Sequence, residues 1–178
     1  PTDCSIAPNA FPGRVVAPYA HTLVALARAE GVALPADPAA ADADMPVAQY
    51  LDLLQCACER SGPAFGWRLG QSVKPTTYGV NGILLLACGT LGEALAQVLR
   101  FESLVHDLGR SGFARHGERV EYSWRNDCAG HPAAAALAES VFSGIVTCAE
   151  WLVGRPVQAF ALEFAHAADA GSRAAIEQ

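Results

Sequence analysis

The apolar residues of this chain change their period partway along, and that change limits the folds open to it. Through Leu108 they recur at helical spacing, whereas around Phe113 and again from Val120 through Tyr122 to Trp124 they alternate, on either side of His116-Gly117-Glu118. Alternating segments joined by a short glycine-containing turn make a hairpin. Strands joined so tightly are antiparallel, which excludes a parallel strand-helix-strand unit there. Helical spacing returns from Pro132. The order predicts an α+β fold, with a helical N-terminal half followed by a small antiparallel sheet covered by helices.

Within that order the breakers and caps place the elements. Residues 1–17, with Pro8, Pro12 and Gly13, show no period and read as an irregular arm ahead of a single domain spanning 18–178. A first helix starts at Pro18, turns Tyr19, Leu23 and Leu26 inward and stops at Gly31. A second, capped by Asp44, carries Val47, Tyr50, Leu51, Leu54 and Cys58 and ends at Ser61-Gly62. A short helix interrupted by glycines is expected around Ile83 and Leu86. Thr90-Leu91-Gly92-Glu93 has the form of a capping box and opens a helix bearing Leu91, Leu95, Val98, Phe101, Val105 and Leu108, with Gly109 as its stop. A long helix follows from Pro132 to Gly154, with Leu137, Val141, Ile145, Cys148 and Leu152 inward. Residues 157–164 alternate as a third strand, and 169–178 form a terminal helical piece so poor in apolar surface that its partner is expected outside this sequence.

Composition narrows the function. With 52% hydrophobic and 17% charged residues among 178, the chain can bury a substantial core. Its net charge of -6, its single lysine (Lys74) and its scattered arginines supply no basic stripe, so this segment is not expected to bind DNA itself. No uninterrupted apolar run nears the ~20 residues of a spanning helix, and no charged leader precedes a long apolar stretch. A soluble cytoplasmic protein without membrane contact is the expectation. Cys4, Cys56, Cys58, Cys88, Cys128 and Cys148 are spread through apolar stretches and read as free, mostly structural thiols. Cys56 and Cys58 on one helix point about 200° apart, which suits neither a disulfide nor a shared metal.

The chemistry-bearing patterns are largely missing. No G-x-S-x-G turn frames a serine nucleophile, and His21, His106, His116, His131 and His166 stand apart from one another and from paired cysteines. The glycines at 62, 66, 70, 79 and 82 match neither phosphate-cradling motif. No enzyme activity, cofactor or metal is expected. His106, near a predicted helix end, reads either as a residue favoured by the helix dipole or as an axial ligand to haem.

An aromatic and polar cluster in mid-chain gives the candidate ligand-binding set: Trp67, Tyr78, Asn81, Phe101, Tyr122 and Trp124, with Phe113 nearby. Small-molecule pockets are mostly apolar with a few fixed polar groups, which tyrosine and tryptophan supply together, although the same residues also fill ordinary cores. Arg68, Arg100 and Arg125 could meet an anionic ligand or form surface ion pairs. Trp151 reads as core or subunit contact.

Phe65-Gly66-Trp67-Arg68-Leu69-Gly70, then Pro75-Thr76-Thr77-Tyr78-Gly79 with Gly82, then Thr90-Leu91-Gly92-Glu93-Ala94-Leu95 resemble, in order and spacing, the arabinose-binding-like N-terminal domain of bacterial AraC-type transcription regulators. The long helix from Pro132 and His166 continue the pattern, so the resemblance covers roughly 18–178. It implies a domain that senses a small-molecule effector or dimerises, forming a homodimer and meeting DNA only through a separate C-terminal helix-turn-helix domain. Within it, the glycine-rich segment 66–82, carrying Trp67 and Tyr78, is expected to order over the effector. A dimerisation module with a filled core, or a haem-type sensor using His106, are the competing readings.

Overall fold

The computed structural model describes residues 11–35, 43–157, 161–167 and 169–177. A short strand β1 (Arg14–Val15) leads into α1 (Ala17–Ala29), then β2 (Met45–Pro46), α2 (Val47–Ser61) and α3 (Phe65–Gln71). A 3-10 turn (Pro75–Tyr78) precedes α4 (Val80–Leu86) and α5 (Leu91–Phe101), and a second 3-10 turn (Glu102–Leu104) leads to β3 (Gly109–His116) and β4 (Arg119–Asn126). The long α6 (Ala134–Val153) and the short α7 (Ala170–Ile176) complete the order. The described residues are 56% helical with two two-stranded antiparallel sheets, β1 with β2 and β3 with β4. It is an α+β fold.

The core is built on α3 against α6, the most extensive helix contact in the molecule. The sequence allows it because Gly66 and Gly70, one turn apart on α3, present no side chain. A Cβ on Gly66 would overlap the carbonyl oxygen of Ala136, and one on Gly70 would lie 2.6 Å from the amide nitrogen of Gly144. Around this contact Leu23, Leu51, Leu54, Phe65, Leu69 and Leu137 form the main buried cluster. A second, smaller cluster of Leu85, Ala94 and Cys148 lies apart, and Tyr78 packs against both. By length and composition α6 is apolar enough to cross a membrane. Its buried face, however, carries Glu139, Ser140 and Ser143. Glu139 accepts from Ser172 Oγ at 3.1 Å and pairs with His166 Nε2 at 3.3 Å.

Several elements depart from the sequence expectation, each because a tertiary partner intervenes. The arm expected over 1–17 contains β1: Arg14 and Val15 pair with Pro46 and Met45. Residues 1–10 lie outside the described residues. The same strand holds residues 105–107, through Val16 N to Val105 O at 2.9 Å and Asp107 N to Arg14 O at 2.9 Å. That clasp explains why the α5 helix ends at Phe101 and not at Gly109, since the backbone of 105–107 bonds to β1. Asp44 does not cap α2 but pairs with Arg14. Thr90 Oγ1 does cap α5, accepting from Glu93 N at 3.2 Å, while Glu93 reaches back to the amide of Gly89.

The hairpin forms as expected, with Phe113 opposite Tyr122 and His116 opposite Arg119. Gly117, at φ 65°, takes the first of two turn positions, where a positive φ matches the strand twist. The hairpin is only partly covered by helices, since Phe113 and Val120 are exposed. Val157 and residues 161–164 form no strand, because β3 and β4 pair only with each other; 158–160 lie outside the described residues. The terminal helix α7 finds its partner within the chain, docking on α3 and burying Ser172 against Glu139.

Gly70→Ala should destabilise the protein by about 1–3 kcal/mol, the usual penalty for forcing a methyl into a packed interior. Gly92, helical and with nothing nearer than 4.0 Å to an added Cβ, makes the control. Gly92→Ala should raise stability by about 0.5–1 kcal/mol. Urea unfolding of both variants checks the contrast.

Candidate functional site

Between the two buried clusters lies a cleft with an empty volume, mouth included, of about 680 Å³. Tyr19 of α1, with Val105 and His106 after the second 3-10 turn, lines its inner end. Val73 and Tyr78 precede α4, which contributes Asn81, Leu84 and Leu85. From α5 come Gln97, Val98 and Phe101, followed by Glu102. Tyr122 of β4 and a stripe of α6 made of Ser140, Val141, Ile145 and Cys148 close it. Serine and valine at 140 and 141, then one and two turns on, fall on one helix face, which the α3 contact turns toward this space.

Four of the six residues singled out in the sequence come together here: Tyr78, Asn81, Phe101 and Tyr122. Asn81 Nδ2 donates to Phe101 O at 2.9 Å, tying α4 to the end of α5. Trp67 and Trp124 do not line the cleft. Trp67 sits on α3 and is buried, and the Trp124 ring covers Gly109, its Cε2 2.6 Å from where a Cβ there would lie. Both indole nitrogens are buried without a hydrogen-bond partner. The segment 66–82 is not one flap: its first part is the helix locked on α6, and its second part, from Val73, borders the cleft.

The polar groups inside are few and ordered. Glu102, 7% exposed, accepts from the Ser111 amide at 2.8 Å and the Ser111 hydroxyl at 2.6 Å. With that hydroxyl donating to the carboxylate, Tyr122 Oη, 2.6 Å from Ser111 Oγ, is the donor to serine. Burial pushes the phenols of Tyr19, Tyr78 and Tyr122 above the usual tyrosine range, and the Glu102 charge adds to this for Tyr19 and Tyr122. Burial likewise pushes the Cys148 thiol up to about 11, so it stays protonated and unreactive at neutral pH. His106 packs on Tyr19 with ring centroids 5.3 Å apart, and its Nδ1 is buried without a partner. Burial first and the Arg110 charge second lower its pKa to about 4. His106 is therefore neutral near pH 7, and the expectation of a cationic histidine favoured by a helix dipole does not hold.

No lysine or arginine lines the cleft. Arg68 is spoken for by Glu30, with Nε to Oε1 at 2.7 Å and Nη2 to Oε2 at 2.9 Å. Arg125 pairs with Asp127 at 2.9 Å, and Arg100 stacks over the Phe101 ring at 5.1 Å. Trp151 is 55% exposed, which removes its core reading. Among the described residues no three histidines, cysteines or acids gather as a metal site, and Cys56, Cys58, Cys88, Cys128 and Cys148 are free thiols.

Besides its aliphatic walls and Cys148, the cleft adds Tyr19, Gln97, Glu102, His106 and Ser140 to the candidate set that sequence reasoning had singled out. Glu102 carried a readable signal: with Val98 and Val105 it falls at i, i+4 and i+7, an acid on an apolar stripe. Tyr19 gave none beyond its inward position.

One protein-family model matches residues 23–178 of the chain; its description is the arabinose-binding domain of AraC transcription regulators, N-terminal. A comparison with curated protein sequences returns no match.

The neutral His106 makes stability depend on pH with a defined sign. The unfolded imidazole protonates near 6.5 and the folded one near 4, so the unfolded chain binds the extra proton between these values. Stability present above about pH 6.5 should fall as pH drops toward 4, by on the order of 3 kcal/mol. Urea midpoints measured across that window should fall less steeply in His106→Gln than in the wild type, and parallel curves would refute the assignment.

Proposed function

The chain belongs to the family of N-terminal arabinose-binding domains of AraC transcription regulators, and on that premise we propose that it senses a small-molecule effector in the cleft between α4, α5 and α6. It is a regulatory domain of the bacterial cytoplasm in this reading, without enzyme activity, and it influences DNA through a separate C-terminal helix-turn-helix domain. The observation that carries the proposal is the cleft itself. It is concave, mostly apolar and furnished with a few fixed polar groups, as ligand sites are. Tyr78, Asn81, Phe101 and Tyr122 contact the effector; Trp67 and Trp124 support the walls from behind.

Sensing requires that the ligand favour one of two states. The cleft is suited to this because α4 is held lightly against α6: a small cluster of Leu85, Ala94 and Cys148 joins them, with the Asn81 bond to Phe101 tying α4 to α5. An effector bridging α4 and α6 would tighten that joint. Homodimerisation is part of the same proposal, supported by the apolar side chains that α4 and its neighbours leave exposed, among them Val80, Ile83, Leu86 and Leu104. A module that only dimerises would show a melting temperature rising with protein concentration and no response to any ligand.

A thermal-shift scan against sugars, amino acids, organic acids, amines and fatty acids tests the reading. An effector at ~100 times its dissociation constant should add about 2.7 kcal/mol, a shift of roughly 5–10 °C for a domain of this size. Val98→Phe, which places a ring in the cleft, should abolish the shift while leaving the unliganded melting temperature near that of the wild type. A shift that survives this substitution would place the effector elsewhere.

A further inference from the structure

The charges and unsatisfied atoms of the cleft go further than its shape, and from them we infer the chemical class of its effector: an amine with an apolar body, bound as its ammonium ion. This rests on the effector-sensing reading above and specifies it.

Three observations select a cation. The first is the buried carboxylate. Glu102 lies in a mostly apolar space, and among the described residues it has no cationic partner at ion-pair distance; its hydrogen bonds come from Ser111 alone. Each carboxylate oxygen keeps a second lone pair after accepting one such bond. A buried charge without a counter-charge is unfavourable, and a ligand cation supplies what the chain does not.

The second is the unpartnered Nδ1 of His106. His106 N donates to Glu102 O at 3.1 Å, so the two residues stand one turn apart and their side chains leave the backbone on the same side. The imidazole is neutral near pH 7, and an ammonium selects the tautomer that carries the proton on Nε2, in which Nδ1 is an acceptor. An ammonium has donors for both groups, with one to spare for a tyrosine hydroxyl or Asn81 Oδ1.

The third is the ring set. Tyr19, Tyr78, Phe101 and Tyr122 all line the cleft, and the faces of such rings attract cations. Tyr19 lies 5.3 Å from His106 and 6.3 Å from Tyr78 between ring centroids, so the rings surround the same end of the space that holds the acceptors. The remaining lining, including Leu84, Leu85, Val98, Val141 and Ile145, fits a hydrocarbon or aromatic body.

The alternatives fit poorly. A carboxylate or phosphate ligand would enter beside Glu102 with no lysine or arginine to meet it. Arg110 is outside the lining and is engaged by Asp107 at 3.1 Å and by the carbonyls of His106 and Gly109, and Arg100, also outside it, lies over the Phe101 ring. A sugar would need a hydrogen-bonding partner for each hydroxyl; Asn81, Gln97 and Ser140 offer a few, but Leu84, Leu85, Val98, Val141 and Ile145 make most of the walls of α4, α5 and α6 apolar.

Calorimetric titration at neutral pH with hexylamine, hexanol and hexanoate separates these classes, because the three share a body and differ in head group. The wild type should bind hexylamine at least about tenfold more tightly than hexanol, with hexanoate weakest. In Glu102→Gln, whose fold is checked by its unliganded melting curve, the amine's advantage over hexanol should vanish while hexanol binding stays within about twofold. Should that variant not fold, the wild-type series decides alone, with loss of hexylamine binding in Val98→Phe locating the site. Hexanoate binding as tightly as hexylamine, or an unchanged preference in a folded Glu102→Gln, overturns the amine assignment. If no probe of the three binds while a compound of the scan that carries no amine shifts the melt and loses that effect in Val98→Phe, the amine assignment fails and effector sensing stands. If no compound shifts the melt, both fail.

Discussion

The close approach of α3 and α6 sets the position of nearly everything else. Two glycines a turn apart let one helix rest its backbone on the other, and the rotation of α6 that follows decides which of its faces looks inward. Near the start of α6 Leu137 joins the main core; farther along the same face Ser140, Val141, Ile145 and Cys148 become a wall of the cleft. Widening that contact by one methyl group would shift both together. The core and the candidate site are therefore mechanically the same object.

Polar groups inside the fold divide into those the chain satisfies and those it leaves open. Glu139 is satisfied by Ser172 and His166, and His131 takes the Ala133 amide on Nδ1 while facing Asp52 at 3.4 Å. These arrangements fix where α7 docks and how α6 begins. In the cleft the balance differs, with a carboxylate held by one serine and an imidazole nitrogen held by nothing. Buried polar atoms without partners are uncommon, because each forfeits its bonds to water. In the cleft one such atom, His106 Nδ1, belongs to the same lining as the Glu102 carboxylate, which no cation pairs among the described residues.

The sequence made some of this legible. The hairpin around Gly117, the helix from Val47 to its stop at Gly62 and the long helix ending at Gly154 follow from period and breakers, which act locally. The end of α5 does not, because Val105 and Asp107 are claimed by β1, some ninety residues earlier. The same non-local clasp puts His106 in the interior, so its environment was unreadable from its neighbours. Tyr78, Asn81, Phe101 and Tyr122 were identifiable as aromatic or polar residues flanking apolar runs, yet Trp67 and Trp124 carried the same signal. What separates them is direction: Trp67 is on the helix that glycines press against α6, and Trp124 lies over Gly109. Neither circumstance leaves a local trace.

The β3–β4 hairpin belongs to a two-stranded sheet, so among the described residues no other strand covers the outer edge of either strand. Open edges invite a second ribbon, and hence aggregation. On a chain that is acidic as a whole, this ribbon carries four arginines, at 110, 115, 119 and 125, against two glutamates. Asp107 and Asp127, paired with Arg110 and Arg125, bring the ribbon close to charge balance. An approach of two copies edge to edge is then decided by the order in which opposite charges meet along the ribbon, an influence that weakens as salt rises, so solubility should be a property of the ionic medium as much as of the sequence.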